Sequence, residues 1–418
     1  MVPTEKPTGG AGSAPVPPAA VSERLIILLV GAIQFVNVLD FVMVMPLGPD
    51  FAAELAIDTS HIGVVGGSYT GAAAVAGVVG SLFLDRFDRR WALALSMLGL
   101  VIGTALGGFA TGLGSLLFAR ILAGSFGGPG TSLSLAVIAD AVPPARRGKA
   151  MGAVMGAFAI ASVLGVPAGL ELSARWGFRA PFFAVAALGL VLVPAAIWLM
   201  PPMRGHLSAA RQSAGQPRVR LLDSVTAISL TSSALLALGL FAVVPNISAF
   251  VQHNLGYPRD RIGALYLAGG LASFVMMRVV GALVDRLGVT LLFTIGTLLH
   301  AFALLVGFIH PWSSLVMLVF IIFMLSSNFR MVPMQALASR VPRPEQRARF
   351  MSAQSAVQHA ASALGAILAS SVLLATPDGK LVHMEQIAWA AMLVAGLIPF
   401  TVALLERRVK AREASARP

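Results

Sequence analysis

Stretches of about twenty residues with almost no charge recur along this chain, as in WALALSMLGLVIGTALGGFA (91–110). An α-helix rises about 1.5 Å per residue, so each run is long enough to cross roughly 30 Å of hydrocarbon. Inside that layer only helices and closed barrels satisfy their own backbone polar groups. Barrel strands would read as segments of about ten residues with alternating polarity, and these runs do not alternate. The chain is therefore expected to be an all-α membrane protein. Its 57% apolar and 11% charged residues agree with that, since a soluble domain carries about 25% charged residues.

Several function classes drop out. A formal charge of +12 would suggest nucleic acid only with a basic patch on a water-facing domain, and the apolar runs leave no room for one. The absence of cysteine excludes disulfides, thiol catalysis and cysteine-ligated metal. No phosphate loop of the G-x-x-x-x-G-K-[ST] type and no H-E-x-x-H pair occurs, so neither enzyme activity nor a cofactor or metal is expected. GGPGTS (127–132) has the glycines of such a loop, but it lacks the lysine and lies within an apolar run. Residues 1–23, rich in Pro, Ala and Gly, read as a disordered tail. They do not read as a signal peptide, because the apolar run that follows is too long and contains Asp40.

Apolar runs bounded by charge, Pro or Gly clusters predict twelve helices. Six lie near 24–46, 61–84, 91–111, 114–141, 148–171 and 179–200. Six more lie near 223–250, 261–284, 289–309, 313–340, 348–374 and 386–405. The expected organisation is an N-terminal half over 24–200, a polar linker over 201–222, a C-terminal half over 223–405 and a basic tail over 406–418. Lys and Arg are retained on the cytoplasmic side during insertion. They divide 22 to 5 in favour of the side that carries the termini, with Arg120, Arg278 and Arg330 inside spans. Both termini are thus predicted to be cytoplasmic.

The halves echo one another. SLFLDRFDRR (81–90) and GALVDRLGVT (281–290) both follow the second helix of a half, and VPPARRGKAM (142–151) and VPRPEQRARFM (341–351) both join the fourth to the fifth. Two echoes at matching topological positions point to an internal repeat.

With these motifs the sequence resembles the major facilitator superfamily, and within it the 12-span proton-coupled drug and sugar efflux branch, including the arabinose-efflux-like permeases. The loop after helix two in that family reads approximately G-x-L-a-D-r-x-G-r-r. Gly281, Leu283, Asp285, Arg286 and Gly288 fit it in the second half. The first half keeps Asp85, Arg86, Arg89 and Arg90 but places Ser81 and Asp88 where the family usually has glycines. Asp tolerates a left-handed backbone better than most residues, so Asp88 is expected to replace the turn glycine. LLFARILAGSFGGPG (116–130) resembles the fourth-helix motif with its embedded Arg120, and VLDFVMVMPLGP (38–49) the first-helix motif. SVLGVPAGLELSARWGFRAPFF (162–183) resembles the fifth-helix motif of efflux members, with Gly165, Pro167 and Gly169, although Val166 interrupts the usual Gly-Pro pair.

The resemblance implies two halves that rock about a central site. It also implies that Asp85 gates by meeting the start of helix eleven near Ala348. The function it implies is export of a small organic solute (drug-like, sugar-like or a metabolite) in exchange for protons by alternating access. The expected partners are solute, protons and the bilayer, with a monomer acting in the cytoplasmic (inner) membrane. An uptake permease of the same fold is the nearest alternative, and a non-transporting receptor or assembly factor on the same scaffold is a further one.

Polar residues within spans carry the site expectation. An ionised side chain at mid-span costs about 2.5–3.5 kcal/mol on insertion scales, so it usually faces a cavity or a partner. Asp40 and Arg120 lie at similar depth, roughly 9 Å from one boundary by helical rise, which makes a proton-coupling pair possible. Gln34 and Asn37 precede Asp40 at three-residue steps and extend its polar face. Asn246, Asn328, Arg330, Gln354, Gln358 and His359 form the corresponding set in the second half. They read either as cavity lining or as hydrogen bonds holding the bundle, worth about 0.6 kcal/mol per pair. Arg278 is expected to snorkel. Gly99, Gly103 and Gly107, the pair Gly152 and Gly156, and the pair Gly165 and Gly169 are spaced for close helix packing.

Overall fold

The computed structural model describes residues 22–81, 83–204, 223–342 and 347–415. Among these residues, eleven helices are long and apolar enough to cross a membrane. In chain order they are α1 (Glu23–Met43), α2 (Thr59–Gly80), α3 (Arg89–Gly108), α4 (Leu113–Ala141), α5 (Arg146–Trp176), α6 (Arg179–Leu199), α7 (Ser224–Asn254), α8 (Arg259–Leu287), α9 (Val289–Ile309) and α10 (Ser313–Ala338). A further 26-residue helix, α11 (Arg347–Val372), precedes the eleventh of that set, α12 (Met384–Ser415). A short helix, Gly48–Glu54, follows α1, and a two-residue antiparallel pairing, Leu374–Ala375 with Leu381–Val382, joins α11 to α12.

Ion pairs and caps between segments remote in sequence define the two ends of the bundle. At one, here the terminal end, Arg146 pairs with Glu23 at 2.8 Å and Arg89 with Asp140 at 3.2 Å. In the second half at that end, Arg412 reaches Asp223 at 2.5 Å, and Glu406 accepts from the backbone N–H of Thr290 at 3.0 Å. At the opposite, far end, the Asn254 side-chain amide brackets Leu381, donating to its carbonyl and accepting from its N–H, both at 2.9 Å.

Helix ends follow from local chemistry. Ser22 caps α1, and Asp223 caps α7 by accepting from Thr226 N–H at 2.8 Å. Gly288 takes φ +83° between α8 and α9, the left-handed conformation that side chains disfavour, so the family glycine is used here as expected. Asp88 behaves otherwise. Its φ of −59° and ψ of 125° are extended, and its carboxylate accepts from Arg90 N–H as the cap of α3. The expectation of a left-handed Asp88 is corrected: a carboxylate one residue before a helix gains more by accepting an orphan N–H than by mimicking glycine.

Three spans contain π turns, at Ala161–Gly165 in α5, Phe250–Asn254 in α7 and Leu305–Ile309 in α9. In α5 the cause is local: Pro167 supplies no N–H to the preceding turn, which widens. The expected tail over 1–23 and linker over 201–222 lie largely outside the described residues. The expected tail over 406–418 is helical as far as Ser415, where α12 continues and Arg340 pairs with Glu413 at 2.6 Å.

Glycines set the helix spacing. A Cβ at Gly103 would sit 2.5 Å from the backbone nitrogen of Ala123, and one at Gly99 would meet the Phe126 ring at 2.2 Å, so α3 and α4 touch through their backbones. Gly165 and Gly169 let α5 close on the Leu39 and Met43 side chains of α1. Gly152 has nothing within 4 Å, and Gly156 meets only its own helix, so these two do not serve packing between helices.

Candidate functional site

Asp40 lies one turn before the end of α1 and is fully buried. Arg120, seven residues into α4, directs Nη1 at both carboxylate oxygens, each at 3.0 Å, and Nη2 at the Asp40 carbonyl at 3.3 Å. Thr104 of α3 donates to Asp40 Oδ1 at 2.8 Å. The guanidinium also lies 4.6 Å from the centroid of the Tyr69 ring of α2, a cation–π distance. Four helices thus converge on one ion pair.

The pair is wired to the polar residues one and two turns earlier on α1. Tyr69 donates from its hydroxyl to Asn37 Oδ1 at 3.0 Å. Asn37 Nδ2 donates to the Gly127 carbonyl at 2.9 Å and to Thr131 Oγ1 at 3.0 Å, and Gln34 Nε2 reaches the same hydroxyl at 3.4 Å. The glycine at 127 is required by this geometry, because a Cβ there would stand 2.1 Å from the Tyr69 hydroxyl. Gln34 and Asn37 therefore face α4 inside the first half, with Gln34 Oε1 left without a donor.

The second-half set is more dispersed. Gln354 of α11 donates to Ser233 of α7 at 3.3 Å, while Asn246 and Asn328 donate back to their own helices, to Ala242 O at 3.3 Å and Met324 O at 3.1 Å. Gln358 and His359 are half-buried. Arg330 is 1% exposed, and its Nε and Nη1 meet no acceptor. Arg278 is exposed, its guanidinium 4.0 Å from the Phe274 ring centroid.

At the terminal end, Arg89 holds Asp140, Arg90 donates to the Ile197 and Met200 carbonyls at 3.4 Å, and Arg86 is exposed. The side chain of Asp85 lies outside the described part of the structure. Asp285, Gly288, Ser339, Arg340, Glu406 and Lys410 line a polar recess of about 430 Å³, and Arg286 and Gly281 lie on the same helix, α8. Asp88 ties α3 to the end of α6. Burial opposes its ionisation, but hydrogen bonds from Met203 N–H, Arg90 N–H and Arg204 outweigh it and hold the carboxylate below its ordinary range.

Tyr69, Thr104 and Thr131 were not among the residues that sequence reasoning selected. One signal was available for Tyr69, which is one of only three tyrosines in the chain and stands in a run of glycine and alanine. The two threonines gave none, since a hydroxyl bonded to its own helix looks the same in sequence as one bonded to a carboxylate.

Between the halves, contacts cluster at the far end. Arg259 at the start of α8 grips Asp50 of the short helix with Nε at 2.6 Å and with Nη2, and Nη2 also reaches the Leu170 carbonyl at 3.3 Å. Ser173 donates to the same carboxylate at 2.7 Å. Ser248 donates to the Pro46 carbonyl at 2.8 Å and Thr59 to the Gly379 carbonyl at 3.0 Å. Phe41 stacks between Tyr69 and Phe241, at centroid distances of 5.3 Å and 5.8 Å, and so joins the ion-pair cluster to α7.

Comparison with known proteins fits this architecture. Residues 30–231 and 229–418 each match the model of the Major Facilitator Superfamily. The chain is 28% identical over 284 residues to a chloramphenicol resistance protein of Streptomyces lividans, an alignment covering 66% of this chain and 68% of that one. It is 30% identical over 244 residues to the purine ribonucleoside efflux pump NepI of Escherichia coli, covering 57% of this chain and 59% of the pump. Its fold superposes on a D-xylose-proton symporter with a TM-score of 0.70 at 18% identity, over 90% of this chain and 96% of the symporter. The two matched halves, the helical bundle and the shared fold place the chain in the Major Facilitator Superfamily, as a multi-pass membrane transporter and not an enzyme.

Proposed function

We propose that the chain exports a small organic solute across the cytoplasmic membrane in exchange for protons, by alternating access of two six-helix halves. The observation that carries the proton step is the Asp40–Arg120 pair, buried to 0% and 1% side-chain exposure. A charge pair kept out of water gains from partners and loses from desolvation, and the balance shifts when helices move. In the present arrangement the Asp40 carboxylate is held by Arg120 and Thr104. When α1 moves relative to α4, Asp40 loses the guanidinium, takes up a proton from one side and returns it on the other.

Export is supported by the purine ribonucleoside efflux pump among the relatives and by the fifth-helix glycines, which fit α5 closely against α1. With α11 counted as a span, the chain crosses twelve times and the terminal end faces the cytoplasm. The 22-to-5 distribution of Lys and Arg favours that orientation. The chain works as a monomer without a cofactor. Asp285 and the Asp85 repeat act at the terminal end, where the helices of each half change neighbours.

The test uses everted membrane vesicles. Solutes that collapse a proton gradient only when the protein is present identify transport, direction and substrate together. Asp40→Asn keeps size and hydrogen bonding but cannot titrate. It is expected to abolish proton-driven solute accumulation while leaving solute exchange down its own gradient. Normal accumulation by an equal amount of inserted Asp40→Asn protein would move the proton site elsewhere.

A further inference from the structure

The second half contains a buried cation that nothing above uses. Arg330 sits eight residues before the end of α10, about 12 Å along the helix from the terminal end. α9 packs closely on the base of its side chain: a Cβ at Gly296 would lie 2.6 Å from Phe329 Cβ and 3.0 Å from Arg330 Cγ. With 1% of the residue exposed, Nε and Nη1 have neither a protein acceptor nor bulk water.

Among the described residues no carboxylate in this half pairs with it. The described acids from 224 onward are Asp260, Asp285, Asp378, Glu385, Glu406 and Glu413, and none forms an ion pair with Arg330. Glu406 is bound by Thr290 and Lys410, and Glu413 by Arg340. Asp40, the one acid at depth in the first half, already receives Arg120. The adjacent histidine does not help. The Ser326 hydroxyl donates to the Phe323 carbonyl at 2.7 Å, so the 3.2 Å contact between His300 Nδ1 and Ser326 Oγ requires His300 to donate from Nδ1. Its neutral ring then offers only an acceptor at Nε2 and no negative charge.

An isolated buried guanidinium is costly, and its partner must be brought in. We propose that Arg330 binds an oxyanion on the transported solute, a carboxylate or a phosphate ester, which enters the second half when the bundle opens. The inference rests on the transport reading and narrows its substrate class to anionic solutes. The planar guanidinium, always protonated and rich in donors, suits that group better than lysine would.

Purified protein in lipid nanodiscs tests this by thermal unfolding with benzoate, phenyl phosphate or uncharged benzamide. Benzoate or phenyl phosphate is expected to raise Tm and benzamide to leave it unchanged; which anion acts separates carboxylate from phosphate. Arg330→Met, which removes an unpaired charge, should raise the Tm of the free protein and weaken anion binding by about tenfold or more, the loss of a charge-assisted contact. Arg330→Lys should restore part of the binding. Equal anion-induced shifts in wild type and Arg330→Met, or no shift with either anion in wild type, would overturn the proposal. Everted vesicles separate the two readings. A neutral solute exported equally by wild type and Arg330→Met would leave transport standing and sink the anion site. Anion binding lost in Arg330→Met, without transport of any solute, would do the reverse.

Discussion

Asp40 and Arg120 are worth more as a pair than their separate removals suggest. Taking away one partner leaves the other charged and dry, which costs about 3–5 kcal/mol, whereas removing both leaves no orphan. Asp40→Leu and Arg120→Leu are each expected to destabilise the purified protein by that amount. The double variant should cost clearly less than the sum, measured as a double-mutant cycle in denaturant. Additive losses would mean that the two groups do not interact as drawn. These two residues were legible in the sequence because a charge within an apolar run needs a reason. Tyr69 and Thr104 were not, because their contribution depends on which helices touch, and that is decided by glycines at 103, 124 and 127 that admit a neighbouring backbone or ring. In the second half, Asn246 and Asn328 spend their amide donors on their own helices, which residue type and spacing do not reveal.

Elements differ in how much side chain they can accept. Gly103→Ala places a methyl 2.5 Å from the Ala123 nitrogen, so α3 and α4 must separate and the Thr104–Asp40 bond that depends on their contact weakens. Gly152→Ala, in open space on α5, should instead stabilise by up to about 1 kcal/mol through helix propensity. Opposite signs for the two substitutions in one thermal-unfolding experiment are the expected outcome. The cap at Asp88 adds a pH dependence. Its carboxylate is held below the ordinary range, so its stabilisation is complete above about pH 4 and is lost as pH falls through the lowered folded value. Asp88→Ala should therefore cost about 1 kcal/mol at neutral pH and progressively less under acid. The position of α3 was readable from its apolar run, but its cap was misread because a family glycine suggested a turn conformation where the helix supplied a donor to accept.

At the scale of the whole molecule, the far end is where the two halves are sealed, and opening it means parting α2 from α11. Their closest approach runs through glycine: a Cβ at Gly63 would lie 2.4 Å from Ser370 Oγ and 2.9 Å from the Ala366 carbonyl, and one at Gly67 3.3 Å from the Ala363 carbonyl. The chain has no native cysteine, so a pair introduced there reports without background. Gly71→Cys with Ala363→Cys, whose Cβ atoms would lie 3.5 Å apart between the same two helices, puts two sulfurs within bonding reach, and oxidation should join the halves. If the protein alternates between closed and open far ends, the oxidised double variant loses solute transport and dithiothreitol restores it. Each single variant should be unaffected by oxidant. Arg259→Ala provides the complementary perturbation, since it removes the guanidinium that binds Asp50 and the Leu170 carbonyl across the same seam. It should slow disulfide formation by lowering the closed population, as read by the rate of the mobility shift on electrophoresis. Full transport through the cross-linked protein would show that the halves need not separate at this end, and alternating access through this seam would have to be abandoned.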